Sequence, residues 1–111
     1  MSRLAEAITR LEAVIEARRG ASPESSWTAR LLSEGPPGAA RKLGEEAVEA
    51  VVAAVSGDAE GLAAEAADVL YQLLVLLAAS GVSPDAVAAR LEAREGVSGL
   101  QEKASRSLSP P

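Results

Sequence analysis

The sequence predicts an all-α protein, a helical bundle built around a central antiparallel helix hairpin. Apolar residues return every three or four positions along most of the chain, which is the spacing of one helix face. Glycines end these segments, and Ser or Asp residues suited to capping a helix N-terminus precede several of them. No stretch alternates apolar and polar residues over the length of a convincing strand.

The helices follow one another in a regular order. Gly20 ends the first, the run Gly-Pro-Pro-Gly at 35–38 closes a short second one, and Gly57 separates the two long central helices. Asp58 and the pair Ser83-Pro84 provide the caps of the last two. We therefore expect helices over residues 3–19, 26–33, 37–56, 59–80 and 84–95.

The chain has 111 residues, which fits a single domain over residues 1–106 followed by a flexible tail, 107–111. Apolar residues make up 48% of it, but the only large aromatic side chains are one Trp and one Tyr. Small apolar side chains fill little volume, and a chain of this length buries only about two-thirds of its unfolded surface. We expect a second copy to supply further burial, making a homodimer or a larger bundle.

Composition excludes several classes of function. The net charge is −5 and the basic residues are scattered, which argues against a nucleic-acid partner. Cysteine and histidine are both absent, so a metal site would need oxygen ligands, which suit Mg²⁺ or Mn²⁺. The N-terminus has no apolar signal segment, and the longest apolar run, residues 73–79, is too short to span a bilayer. We expect a soluble, cytoplasmic protein with no membrane partner.

The central hairpin carries a mirrored set of carboxylates. Glu49 and Glu65 each lie eight residues from Gly57, and Glu46 and Asp68 each lie eleven residues from it. Equal distances from the turn of an antiparallel hairpin mean equal heights, here about 12 to 17 Å from the turn. The pattern predicts two levels of opposed carboxylates, one helical turn apart.

A solvated acidic face is the alternative interpretation of these residues. Two observations weigh against it. No Lys or Arg occurs between residues 43 and 89, so the hairpin has no internal countercharge. The neighbouring residues are apolar, which indicates a packed helix pair in which like charges would repel strongly. These neighbours are Val48, Val51, Val52, Val55, Val69, Leu70, Leu73 and Leu74.

We therefore expect Glu46, Glu49, Glu65 and Asp68 to bind a hard divalent cation, Mg²⁺ with Mn²⁺ as a substitute. Glu45 is expected to act as a further ligand or as a base. Such a cation shares its ligands with phosphate groups, and a nearby carboxylate can orient or deprotonate an attacking water. Since nucleophilic triads and phosphate-binding loops are absent, hydrolysis of a phosphoanhydride is the reaction that remains.

The pattern Glu45-Glu46-x-x-Glu49 followed by Glu65-x-x-Asp68 resembles that of the MazG-type nucleotide pyrophosphohydrolases. Four flanking segments narrow the resemblance to the phosphoribosyl-ATP pyrophosphohydrolase family. They are residues 23–32 (PESSWTARLL), 42–49 (KLGEEAVE), 66–77 (AADVLYQLLVLL) and 99–106 (GLQEKASR). The resemblance covers about residues 4–106 in unbroken order.

The resemblance implies an enzyme that hydrolyses phosphoribosyl-ATP to phosphoribosyl-AMP and pyrophosphate, the second step of histidine biosynthesis. It also implies Mg²⁺ dependence and a dimer with a helical core. Two positions depart from the family pattern: Gln72 stands where members often have His, and Trp27 where they often have Tyr. Gln72 can form hydrogen bonds near the site but cannot shuttle a proton.

Residues outside the carboxylate set are candidates for binding substrate phosphates. Lys42 shares a helix face with Glu45 and Glu46, although it could also be an ordinary surface lysine. Arg30 could bind a phosphate or form an ion pair with Glu34. The resemblance adds three residues of the C-terminal segment, which composition alone would leave disordered: Lys103, Ser105 and Arg106.

The two aromatic residues have a structural and a functional interpretation. Trp27 could stack on a nucleotide base, but we expect core packing, and for Tyr71 we expect the core or a dimer interface. Two rival functions remain for the chain as a whole. One is a house-cleaning hydrolase of noncanonical nucleoside triphosphates, and the other is a non-catalytic helical interaction module.

Overall fold

The computed structural model describes residues 2–97, 99–100 and 103–104. Four helices make up most of this part of the chain: α1 (Arg3–Arg18), α2 (Trp27–Val55), α3 (Ala59–Ala79) and α4 (Pro84–Ala93). No residue in the described ranges belongs to a strand. The all-α prediction is confirmed, and so is the central hairpin, since α2 and α3 form the most extensive helix–helix contact.

Each helix begins at a side-chain cap. Ser2, Ser26, Asp58 and Ser83 each accept a hydrogen bond from the backbone N–H three residues later, at 2.9 to 3.2 Å. These bonds satisfy N–H groups that have no partner inside the helix. The caps fix where α3 and α4 begin, at the positions that the sequence predicts.

Helix α2 joins two helices that the sequence predicts separately. Its backbone is non-helical at Gly35, with φ 78° and ψ −176°, immediately before Pro36 and Pro37. Glycine adopts this positive φ without the steric cost that a Cβ would impose. The interruption divides α2 into a first part, which contributes Leu31 to the core, and a following part, which carries the carboxylates.

The small core lies where α1, α2 and α3 meet. Leu31 and Val75 are fully buried, together with Ile15 and Ala39. Tyr71 packs against this cluster, as expected, and its hydroxyl lies 2.6 Å from Thr28 Oγ1. Arg19 donates to the carbonyl oxygen of Ala78 at 3.3 Å, which ties the end of α1 to the end of α3.

Much apolar surface stays exposed within a single chain. Along α2, Val48, Val51, Val52 and Val55 form a stripe at helical spacing whose members are all at least 60% exposed. The packed helix pair that the sequence predicts is present, but these four valines lie outside its contact in the single chain. The reason is rotational: α2 turns the face that bears Glu46, Glu49 and Ala53 towards α3, and the valine stripe lies on another face.

Helix α3 is long and apolar enough to cross a membrane when judged by length and composition alone. The core helices of soluble proteins can pass the same test. In this structure α3 packs against α1 and α2, and its Glu65 lies close to the carboxylates of α2.

Candidate active site

Three of the predicted metal ligands lie together between α2 and α3. One carboxylate oxygen from each of Glu46, Glu49 and Glu65 falls within 4.8 Å of the other two. Glu46 and Glu65 are partly buried, whereas Glu49 is exposed. The predicted opposition of Glu49 and Glu65 across the hairpin is therefore present. Glu46, one turn earlier on α2, directs an oxygen to the same place.

Burial leaves two of these oxygens without partners. Glu46 Oε2 and Glu65 Oε2 are buried atoms that accept no hydrogen bond from any described residue. No described Lys or Arg forms an ion pair with Glu46, Glu49 or Glu65. Buried carboxylate oxygens need a proton, a donor or a cation. A divalent cation with oxygen ligands fits this donor set.

The closeness of these carboxylates also raises the pKa values of Glu46 and Glu65. The pKa of Glu65 is raised to about 7, first because its protonated form can donate a hydrogen bond to Glu46 and also to Glu49, then because of burial and the charges of both neighbours. For Glu46, the hydrogen bond with Glu65 lowers the pKa, but burial, Glu49 and Asp68 together raise it above its ordinary value. One proton in this cluster thus stays bound close to neutral pH in the metal-free protein.

Asp68 lies at the edge of the cluster. It is exposed and is not among the three residues whose oxygens converge, yet its charge contributes to the raised pKa of Glu46. The predicted pairing of Glu46 with Asp68 therefore stays a prediction.

Glu45 also lies outside the converging oxygens. It is exposed, and its Oε2 lies 3.6 Å from Lys42 Nζ. The ion pair joins two residues three positions apart on α2, and Glu45 is adjacent to Glu46 along the chain.

The remaining candidate phosphate ligands are Arg30, Lys103, Ser105 and Arg106. Arg30 pairs with Glu34, with Arg30 Nε 3.7 Å from Glu34 Oε1, which is the structural alternative foreseen for it. Its guanidinium also lies over the ring of Trp27, 5.9 Å from the centroid. Lys103 is exposed, and Ser105 and Arg106 lie outside the described residues, as do residues 107–111.

The expectation that Trp27 packs in the core is wrong for the single chain. Trp27 is the first residue of α2 and is 53% exposed. The N-cap at Ser26 sets the start of the helix, and the buried positions that follow are Ala29 and Leu31, so the first turn places Trp27 on the outer face.

A polar residue outside the predicted set is also buried at this hairpin. Gln72 is only 6% exposed, and its Oε1 accepts no hydrogen bond from any described residue. The sequence indicates Gln72 by its position one turn beyond Asp68 and by its place where family members often have His. Burial is what distinguishes it from an ordinary surface glutamine.

A separate groove of about 640 Å³ lies between α1, the end of α3 and the start of α4. Its walls include Ile15, Leu74, Leu77 and Val82. None of the carboxylates of the cluster lines it. Its position away from the acidic residues sets it apart from the candidate active site.

Comparison with known proteins decides the family. A family model for phosphoribosyl-ATP pyrophosphohydrolase matches residues 8–95, which include every carboxylate of the cluster. The chain belongs to the phosphoribosyl-ATP pyrophosphohydrolase family. Membership confirms the resemblance drawn from the sequence.

Relatives in this family cover nearly the whole chain. A phosphoribosyl-ATP pyrophosphatase from Dinoroseobacter shibae is 62% identical over 99 residues, which are 89% of this chain and 97% of the relative. One from Caulobacter vibrioides is 61% identical over 105 residues, 95% of this chain and 97% of the relative. One from Rhodobacter capsulatus is 59% identical over 100 residues, 90% of this chain and 97% of the relative.

Proposed function

We propose that this chain hydrolyses phosphoribosyl-ATP to phosphoribosyl-AMP and pyrophosphate, the second step of histidine biosynthesis, with a bound Mg²⁺ ion. The convergence of Glu46, Glu49 and Glu65 within 4.8 Å is the observation that carries the proposal. It is a site for a hard cation, and a nucleotide phosphate is a natural further ligand of such a cation. Names of close relatives support the choice of substrate.

The carboxylates have distinct roles in this proposal. Glu46, Glu49 and Glu65 hold the cation, and Asp68 completes the set from the exposed side. When bound, Mg²⁺ neutralises charge that develops on the pyrophosphate group as it leaves. Glu45, next to Glu46 but outside the converging oxygens, accepts the proton of the attacking water.

Basic residues bind the remaining phosphate charge. Lys42 lies one turn from Glu46 and exchanges its weak contact with Glu45, at 3.6 Å, for a substrate phosphate. Release from Lys42 at the same time frees Glu45 to act as a base. Arg30, Lys103, Ser105 and Arg106 are proposed to contribute further contacts to the phosphates.

The protein is proposed to work as a homodimer in the cytoplasm. The valine stripe of α2 is exposed to water in a single chain, and so, in part, are Leu62 and Leu73 of α3. Patches of this kind mark interaction surfaces. A second copy would cover the apolar side of the hairpin and enclose the carboxylate cluster further.

Incubating the purified protein with phosphoribosyl-ATP and, in parallel, with a panel of nucleoside triphosphates tests the substrate. We expect release of pyrophosphate and phosphoribosyl-AMP that requires Mg²⁺ and stops with EDTA. Faster turnover of a triphosphate would favour the house-cleaning alternative. Absence of hydrolysis together with no Mg²⁺-dependent change in melting temperature would favour the non-catalytic module.

A further inference from the structure

The hairpin has a regular register that extends beyond the carboxylates. Ala39 and Val75 each lie eighteen residues from Gly57, and both are fully buried in the same core cluster. At the other end, Glu49 and Glu65 lie eight residues from Gly57 and converge. Each of these two equidistant pairs thus lies within one shared cluster of the hairpin.

Lys42 and Gln72 occupy the level between the core and the acidic residues, each fifteen residues from Gly57. Lys42 forms its ion pair with Glu45, along its own helix. Gln72 is more than nine-tenths buried, and its Oε1 has no donor among the described residues. A buried acceptor without a donor lowers stability, so an amide at this place requires an explanation.

Helix direction brings Gln72 towards the carboxylates. Side chains on a helix lean towards its N-terminus. Because α3 begins at the turn, Gln72 leans towards the level of Asp68. Glu46, Glu65 and Gln72 each have a buried side-chain oxygen without a donor among the described residues, and all three belong to the α2–α3 hairpin.

We propose that Gln72 is a binding residue of the site, whose Oε1 accepts a hydrogen bond from a water molecule bound to the cation. The proposal rests on the cation site described above. Mg²⁺ keeps several waters when carboxylates hold it, and those waters are strong hydrogen-bond donors. Such a contact satisfies the buried amide oxygen and fixes the orientation of the hydrated ion. Gln72 is then the neutral acceptor at the inner end of the acidic site.

Isothermal titration calorimetry of the full-length protein with Mg²⁺, at pH 8, tests the role of Gln72. Gln72→Met keeps the length of the side chain and removes the acceptor. We expect the Mg²⁺ dissociation constant to rise about tenfold or more, the usual effect of losing a hydrogen-bond partner of a metal's ligands. The melting temperature without metal should be unchanged or higher, since no unpaired buried oxygen remains.

Two further variants exclude a general effect of substitution. Gln72→His offers a ring nitrogen as acceptor and should bind Mg²⁺ within about threefold of the wild type at this pH. Leu91→Met places the same thioether at an exposed position of α4 and should leave Mg²⁺ affinity unchanged. Circular dichroism shows that each variant is folded. Equal affinity of wild type and folded Gln72→Met would overturn the proposal while leaving the cation site intact.

A double-variant comparison separates a bound water from Lys42 as the donor. If Lys42 were the donor, Gln72→Met would have no effect on Mg²⁺ affinity in a Lys42→Met background, and the proposal would be wrong. We expect the same loss in both backgrounds. Failure of the wild type itself to bind Mg²⁺ would remove the proposed function together with this inference.

Discussion

Two parts of the α2–α3 hairpin share one backbone geometry and differ in chemistry. Near the open end, Ala39 and Val75 belong to one apolar core cluster, and neither side chain is exposed to solvent. Nearer the turn, Glu46, Glu49 and Glu65 meet at the same kind of helix contact, with buried oxygens that lack donors. The first part stabilises the fold, whereas the crowded carboxylates of the second repel one another and lower its stability. The same hairpin therefore contains a stabilising region and a destabilising one.

The largest effect is expected from removing a cluster carboxylate. Glu46→Gln should lower turnover of phosphoribosyl-ATP by about a thousandfold or more, because loss of a metal contact costs several kcal/mol of transition-state stabilisation. Glu49→Gln and Asp68→Asn should also abolish turnover. Melting temperature without metal should hold or rise, because repulsion is relieved. Full activity in a folded variant would contradict the assignment of that residue.

The opposite behaviour is expected in the core. Leu31→Ala should lower the free energy of unfolding by about 2–5 kcal/mol, since it leaves a cavity in a fully buried site. At a temperature where the variant remains folded, its Mg²⁺ affinity should stay close to that of the wild type. Urea unfolding and calorimetry measure the two quantities. Loss of Mg²⁺ affinity in the folded variant would show that core and site are not separate.

Competition between a proton and Mg²⁺ for the carboxylate cluster should have a smaller effect, a fall in Mg²⁺ affinity at lower pH. Because the pKa of Glu65 is raised to about 7, binding of Mg²⁺ below that pH must displace a proton. Apparent Mg²⁺ affinity should therefore fall about tenfold between pH 8 and pH 6 if one proton is displaced. Glu65→Gln should flatten this dependence. An affinity that stays constant over this range in the wild type would contradict the raised pKa.

The same raised pKa affects stability without metal. A carboxyl group whose folded pKa exceeds its unfolded value stabilises the protein while it is protonated in both states, and this contribution is lost as pH rises through the folded pKa. For Glu65 the window runs from its ordinary value of 4.5 up to about 7. Melting temperature without Mg²⁺ should fall over this range more in the wild type than in Glu65→Gln, and added Mg²⁺ should reverse the fall at pH 8.

The smallest effect on the stability of the single chain is expected from a substitution in the valine stripe. Val52→Asp alters a side chain that is 60% exposed in one chain, so the fold of the monomer should be almost unaffected. If a second copy covers this face, the substitution should dissociate the dimer, as size-exclusion chromatography with light scattering would show. Val52→Leu serves as the matched apolar control. An unchanged dimer in Val52→Asp would place the interface elsewhere.

The sequence by itself determined the helices and the mirrored carboxylates. Local chemistry is enough for these, because the caps at Asp58 and Ser83 and the turn at Gly57 act within a few residues. The register of Glu49 and Glu65 follows from counting residues on either side of that turn.

Only the tertiary structure decided which side chains are buried. It placed Trp27 and the valine stripe outside, brought Glu46 into contact with Glu65 while leaving Glu45 with Lys42, and buried Gln72 without a donor. The physical reason is that burial depends on how each helix is rotated about its axis against its neighbours. Residues distant in the sequence set that rotation, so residue spacing within one helix does not reveal it.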